Sequence, residues 1–447
     1  MKTTCTRSQS GTGLRKTAFG SSFLGGTWWA LCLAIQPPLA AAEVPGVTVG
    51  DEVVLAAGGD TVRGEVAVAH GSGGYLAVWR DGWHGEGGNA RIHGVRLDAA
   101  GKPVGGRPAA LAPAAAGIQE RPRVAFAREP AGGPEGGVFI VVWQQLVDEA
   151  QYDILAVRVS AEGKSLDARP IVVATGADNQ VLPTVASDGR GFVVAWQGAV
   201  EADGNTDFRI FSVPVSAAGA VGQATRHFIG HTPLIAWDGT SYMILGSGRL
   251  GVRLDAAGKP LGGRDPAILG WVSLFGAACS FAAGGDGGWM GLHDNGEPNY
   301  WGWGGQGGIE CMGITADGQP DPEQVAYAKT RKEGEVRLWD DWLDHCKNPP
   351  PADGLWPSGA SAVCWDGTQF VAVWQRHHMD QGVMFQETDL AASRVQGWRP
   401  QDRPAAVVAG SNASEQCPAV ASDGAGKLLC LYEKLATDGN VAVCARP

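Results

Sequence analysis

Three sets of side chains in this sequence have the types and spacing to do chemistry. The first pairs imidazoles with carboxylates: His84 with Glu86, His293 with Asp294, and His377 beside His378. Imidazole suits transition metals, and a nearby carboxylate adds a general base, so these residues make a hydrolase or lyase site if they converge. Their spacing matches no metal motif, which leaves no confident metal site; the plain alternative is solvated loop histidines. The second set is aromatic: Trp301 and Trp303, with Trp339 and Trp342 farther along. Aromatic faces bind sugar rings or apolar peptide side chains, and equally well pack an insertion onto a core. The third set, Glu201, Asp203, Asn205 and Asp207, alternates oxygen ligands of the kind calcium takes, without the pattern of an EF-hand loop. A turn-forming loop accounts for it as well. No cofactor is predicted beyond calcium as a candidate.

These residues hang from a repeat. Phe192-Val193-Val194-Ala195-Trp196 recurs as Tyr75 to Trp79, Phe139 to Trp143 and Phe370 to Trp374, with weaker copies ending at Gly246, His293 and Tyr432. Before each of the better copies an apolar run ends in a hairpin turn such as Asp188-Gly189 or Asp366-Gly367. After a variable polar loop comes a third apolar run, Ile154 to Val159 for example, closed by a Gly turn at Gly101, Gly163, Gly219, Gly258 or Gly318. A short fourth run completes the unit, as at Ile171 to Ala174. Four short strands joined by three turns make an antiparallel blade, and seven copies predict an all-β, seven-bladed β-propeller. The recurring tryptophans are then packing residues between blades, and the variable loops between second and third strands are where ligand groups gather.

The chain ends support a ring. The last copy stops at Val441 to Arg446, its third strand, while Asp51 to Ala57 resembles the fourth strand of another unit, Arg169 to Thr175. The N-terminal strand is expected to close the last blade, which removes the exposed edges a linear stack would leave. The stretch 321–359 exceeds the repeat and reads as an insertion. A degenerate eighth unit there, or the loss of a weak copy, makes eight or six blades the alternatives. Pro214 falls in a third strand, where a bulge or an early end is expected. Cys430 and Cys444 fall on neighbouring strands of the last unit, a candidate disulfide.

The unit from Pro183 to Trp196, followed by Asp207 to Val215 and its Gly turn, resembles the tryptophan-containing repeats of secreted bacterial proteins, adhesins among them. That resemblance implies a blade rather than a chemistry.

Residues 1–42 read as an export signal, with Lys2, Arg7, Arg15 and Lys16, an apolar run from Trp28 to Ile35, and Ala40-Ala41-Ala42 before Glu43. The product is expected in the periplasm, at the cell surface or outside the cell, with residues 43–447 forming the propeller. No later stretch is apolar for the roughly 20 residues a membrane span needs. Formal net charge is −11, and losing the four leader cations takes it to about −15. Nucleic acid is therefore not expected as a partner, and anionic membrane surfaces are poor ones. The expected function is an extracytoplasmic binding or interaction module for a glycan, peptide or protein. The alternatives are a secreted hydrolase or lyase working through the acidic and histidine-bearing loops, and a structural envelope protein.

Overall fold

The computed structural model describes residues 44–447 apart from 60–61, 84–87, 113–116, 129–135, 149–150, 203–204, 247–249, 263–266, 269–279, 286, 295–307, 320, 323–341, 346–354, 381–382, 398 and 403–404. Seven antiparallel sheets follow one another along the chain. Their innermost strands are Arg63–Gly71, Gln119–Ala127, Gln180–Ser187, Leu234–Trp237, Ser280–Ala283, Leu355–Trp365 and Ser414–Ser422. Each packs against the next, and the last packs against the first. The ring is closed, with seven blades.

Blade 7 is built from both ends of the chain. Its sheet runs from Ser414–Ser422 through Leu428–Leu435 and Val441–Arg446 to Val53–Ala56, with Val53 opposite Ala445 and Val54 opposite Cys444. The closing strand expected near Val53 is thus present. What precedes it also fits a blade. In blades 1 and 2 a third-strand arginine reaches a carbonyl in the next blade's Gly turn: Arg96 Nε donates to Ala161 O at 2.7 Å, and Arg158 Nη1 to Ala217 O at 3.3 Å. From blade 6, Arg394 Nη2 donates to Pro45 O at 3.0 Å. Gly46, at φ 78°, occupies the left-handed conformation that Gly101 and Gly163 adopt in those turns. The N-terminal segment therefore supplies both a strand and a substitute for the missing turn.

The recurrent tryptophans lie between blades. Trp143 packs with Leu76, Val78 and Ile92 of blade 1, Trp79 with Leu429 and Leu431 of blade 7, and Trp374 with Met290 and Leu292 of blade 5. Trp79, Trp143 and Trp374 are fully buried. Burying an indole removes a large apolar area from water, which makes these rings the main cement of the junctions they occupy.

Three local expectations resolve differently. Within the stretch 321–359, Trp342–His345 is the outer strand of blade 5 and Leu355 opens the inner strand of blade 6, so these two segments belong to blades. Residues 323–341 and 346–354 lie outside the described residues. At Pro214 the register opposite Val193 is unbroken, and pairing to the outer strand has already stopped at Ser212 opposite Thr225, so no bulge is needed there. In blade 7, Cys444 stands opposite Tyr432 and Cys430 opposite Arg446. The two cysteines are diagonal neighbours, farther apart than a disulfide allows, and both thiols are free.

Candidate functional site

Antiparallel pairing places the end of each second strand beside the start of the inner strand: Arg63 faces Asp81, Gln119 faces Gln145, and Leu355 faces His378. One face of the ring thus carries both the loops between second and third strands and the mouth of the central channel. His293 and Asp294 end a second strand on this face, opposite Glu310 and Ile309, and His377 and His378 lie near the end of another. Trp342 pairs with Glu310 in blade 5. His84, Glu86, Trp301, Trp303 and Trp339 lie outside the described residues, as does Asp203. Asp207 is 3.4 Å from Arg209. Among the described residues no three His, Cys, Asp or Glu side chains gather into a set able to hold a metal ion.

The described polar chemistry on this face lies at the mouth itself. Near its start, the inner strand of blades 1, 2, 3 and 7 carries a bulge, and the residues Glu65, Arg121, Leu182 and Cys417 in these bulges have φ between 52° and 60°. Thr232, just before the inner strand of blade 4, has φ 48°. Residues with a Cβ are uncommon in that conformation, and a bulge leaves a backbone N–H unpaired, so something must hold each one. The preceding blade does so. Leu182 N–H donates to Gln144 Oε1 at 2.9 Å, Thr232 to Gln197 Oε1 at 3.2 Å and Cys417 to Gln375 Oε1 at 3.4 Å. Each acceptor directly follows the repeat tryptophan.

Of the five junctions at which such a bond is described, two depart from this amide latch, and they are adjacent. Between blades 7 and 1 the acceptor is a carboxylate: Glu65 N–H donates to Glu433 Oε1 at 2.7 Å. Between blades 1 and 2 the position after Trp79 is Arg80, which has no acceptor. There Glu65 takes over, its Oε2 accepting from Arg121 N–H at 2.7 Å while lying 3.3 Å from Arg80 Nε. Glu433 is 7 % exposed, and burial pushes its carboxyl up to about 7; its other oxygen accepts from Gln416 Nε2 at 3.4 Å. Glu120, buried beside the same mouth, accepts from Gln144 Nε2 at 3.0 Å. Burial, and then the nearby Glu120, raises the pKa of Tyr152. Arg123 is pushed below its ordinary value by burial.

The three carboxyls of blades 7, 1 and 2 were missed from sequence because they sit on inner and second strands rather than on loops. The signal was present: Trp143-Gln144, Trp196-Gln197 and Trp374-Gln375 repeat a dipeptide that becomes Trp79-Arg80 and Tyr432-Glu433. If the amide is a latch, Gln144→Ala strands the Leu182 N–H and takes one donor from the Glu120 carboxyl. It is expected to lower unfolding free energy by about 1–3 kcal/mol in denaturant titration.

No family model and no curated protein matches the chain. Among solved structures, an α-L-arabinofuranosidase of Fusarium graminearum is similar at 8 % identity, with 89 % of this chain and 98 % of that one covered and a TM-score of 0.43. The NanB sialidase of Streptococcus pneumoniae is similar at 9 % identity, covering 88 % and 70 %, with a TM-score of 0.42. The β-propeller domain of a protease from Pyrococcus furiosus is similar at 9 % identity, covering 70 % and 78 %, with a TM-score of 0.35. These are likenesses of architecture.

Proposed function

We propose that this exported propeller hydrolyses a glycosidic bond at the mouth formed by blades 7, 1 and 2. Glu433 is the proton-bearing carboxyl and Glu65, ion-paired with Arg80, the charged one. The observation that carries this reading is a local rule broken at a cost. At three junctions a glutamine makes the latch, yet between blades 7 and 1 the chain buries a carboxyl that an amide would replace more cheaply. Such departures concentrate at functional sites. A buried carboxyl that keeps its proton up to about neutral pH, beside a second carboxyl, is what glycoside hydrolysis needs. Glu433 gives its proton to the glycosidic oxygen as the bond to the anomeric carbon breaks. Glu65 takes the proton of the water that adds to that carbon.

Glu433→Gln tests this cleanly, because glutamine is the latch used elsewhere in the ring. On a panel of polysaccharides and aryl glycosides, Glu433→Gln is expected to lose hydrolysis by about 100-fold while keeping the fold. Wild-type rates in that variant overturn the reading. A second reading, binding of a glycan or peptide without chemistry, is favoured by Trp83, 52 % exposed on the blade 1 loop of this face. Binding of a panel member by wild-type protein with no turnover supports it.

A further inference from the structure

The ring is held shut by a strap, residues 44–56, that has no covalent link to the blade it completes. Its apolar anchors are Val44 and Leu55, which are buried, and Val53 and Ala56, partly buried against the blade 7 and blade 1 core, while Val54 is 51 % exposed. The remaining hold is polar. Gly50 N–H donates to Pro447 O at 2.8 Å, and Arg394 holds Pro45 as described. Glu52 accepts from the Tyr432 hydroxyl, and both of its oxygens lie 3.1 Å from Lys434 Nζ. Tyr432 stands where the better repeats have tryptophan, and its hydroxyl makes a strap contact that an indole in that place would lack.

We propose that the strap is an acid-released clasp: ionised Glu52 holds it on blade 7, and protonation of Glu52 frees it while the rest of the ring stays folded. The groups facing Glu52 come from every strand beneath it. Tyr432 and Lys434 lie on the second strand, Cys444 and Arg446 on the third, and Glu415 on the inner strand. Burial pushes the Glu52 carboxyl up, but the Tyr432 hydroxyl and Lys434 outweigh it and leave the carboxyl below its ordinary value. A depressed carboxyl stabilises the clasp above its unfolded pKa and loses that contribution as pH falls through the folded one. Lys434 also lies 3.6 Å from Glu415, which burial pushes toward its neutral form, so Glu415 loses its charge before Glu52 does and cannot replace it as the partner.

Hydrogen exchange read by mass spectrometry tests this on the full chain, with rates corrected for intrinsic pH dependence. At pH 7 the strap amides of Val53–Ala56 are expected to match the outer strand of blade 2, Ile171–Ala174. At pH 4 the strap alone is expected to lose protection by up to about fourfold, the most that a carboxyl with an unfolded value of 4.5 can supply at that pH. Glu52→Gln is expected to show the loss already at pH 7, with no further change at pH 4. Should that variant not fold, Tyr432→Phe removes only the hydroxyl donor and is expected to weaken protection in part. Parallel behaviour of the two strands, or wild-type protection in Glu52→Gln or in Tyr432→Phe, overturns the proposal.

Discussion

Trp143→Ala is expected to destabilise the propeller by about 3–5 kcal/mol, which for a chain of this length lowers Tm by about 5 °C. The indole is fully buried and lies among Leu76, Val78, Ile92 and Leu155, so its loss opens a cavity between blades 1 and 2. Its Nε1–H donates to Gln145 Oε1 at 3.1 Å, and that acceptor also loses a partner. Strands cannot close over such a cavity without shifting the junction, and each blade has only two neighbours to hold it in place. Calorimetry checks the size of the effect. A loss below about 1 kcal/mol would mean the junction relaxes, and that the aromatic repeat contributes less than its burial implies.

The same residue shows why the ring was legible and the site was not. A tryptophan recurring after four apolar residues, Asp-Gly turns at fixed offsets, and a fourth strand missing at one end but present at the other are periodic signals, and each corresponds to a structural fact. Glu433 and Glu65 belong to no period. Glu433 is informative because it differs from Gln144, Gln197 and Gln375, and Glu65 because it lies in a bulge that pattern alone does not reveal. The bulge residues share no side-chain chemistry, since what is repeated there is a backbone conformation and a donated N–H. The cysteine pair failed for a related reason. A two-residue difference in register keeps Cys430 and Cys444 on one face yet moves them off direct opposition, and sequence spacing does not fix register that finely. The loops that were expected to carry the chemistry do share a face with the carboxyls, because antiparallel pairing puts second-strand ends beside inner-strand starts.

The Glu433 carboxyl also makes a prediction about stability that is independent of any substrate. Its pKa is raised in the folded protein, to about 7, by burial between blades 7 and 1. A carboxyl raised above its unfolded value contributes its full stability below the unfolded pKa and loses it as pH rises through the folded one. Wild-type protein is therefore expected to lose stability between about pH 4.5 and pH 7 from this group, by up to about 3 kcal/mol. The Glu65 backbone N–H, then Gln416 and Arg80, lessen that loss by stabilising the charged form, while the Glu65 carboxylate adds to it by repulsion. Glu433→Gln removes the titration and keeps an oxygen for the Glu65 N–H, so it is expected to be the more stable protein at pH 8 and about equal at pH 4. Chemical denaturation of both proteins at the two pH values checks this. A variant that loses stability at pH 8 would show that the charged carboxylate strengthens the seam. The burial would then carry no cost, and the argument that Glu433 is retained for its chemistry would lose its physical basis.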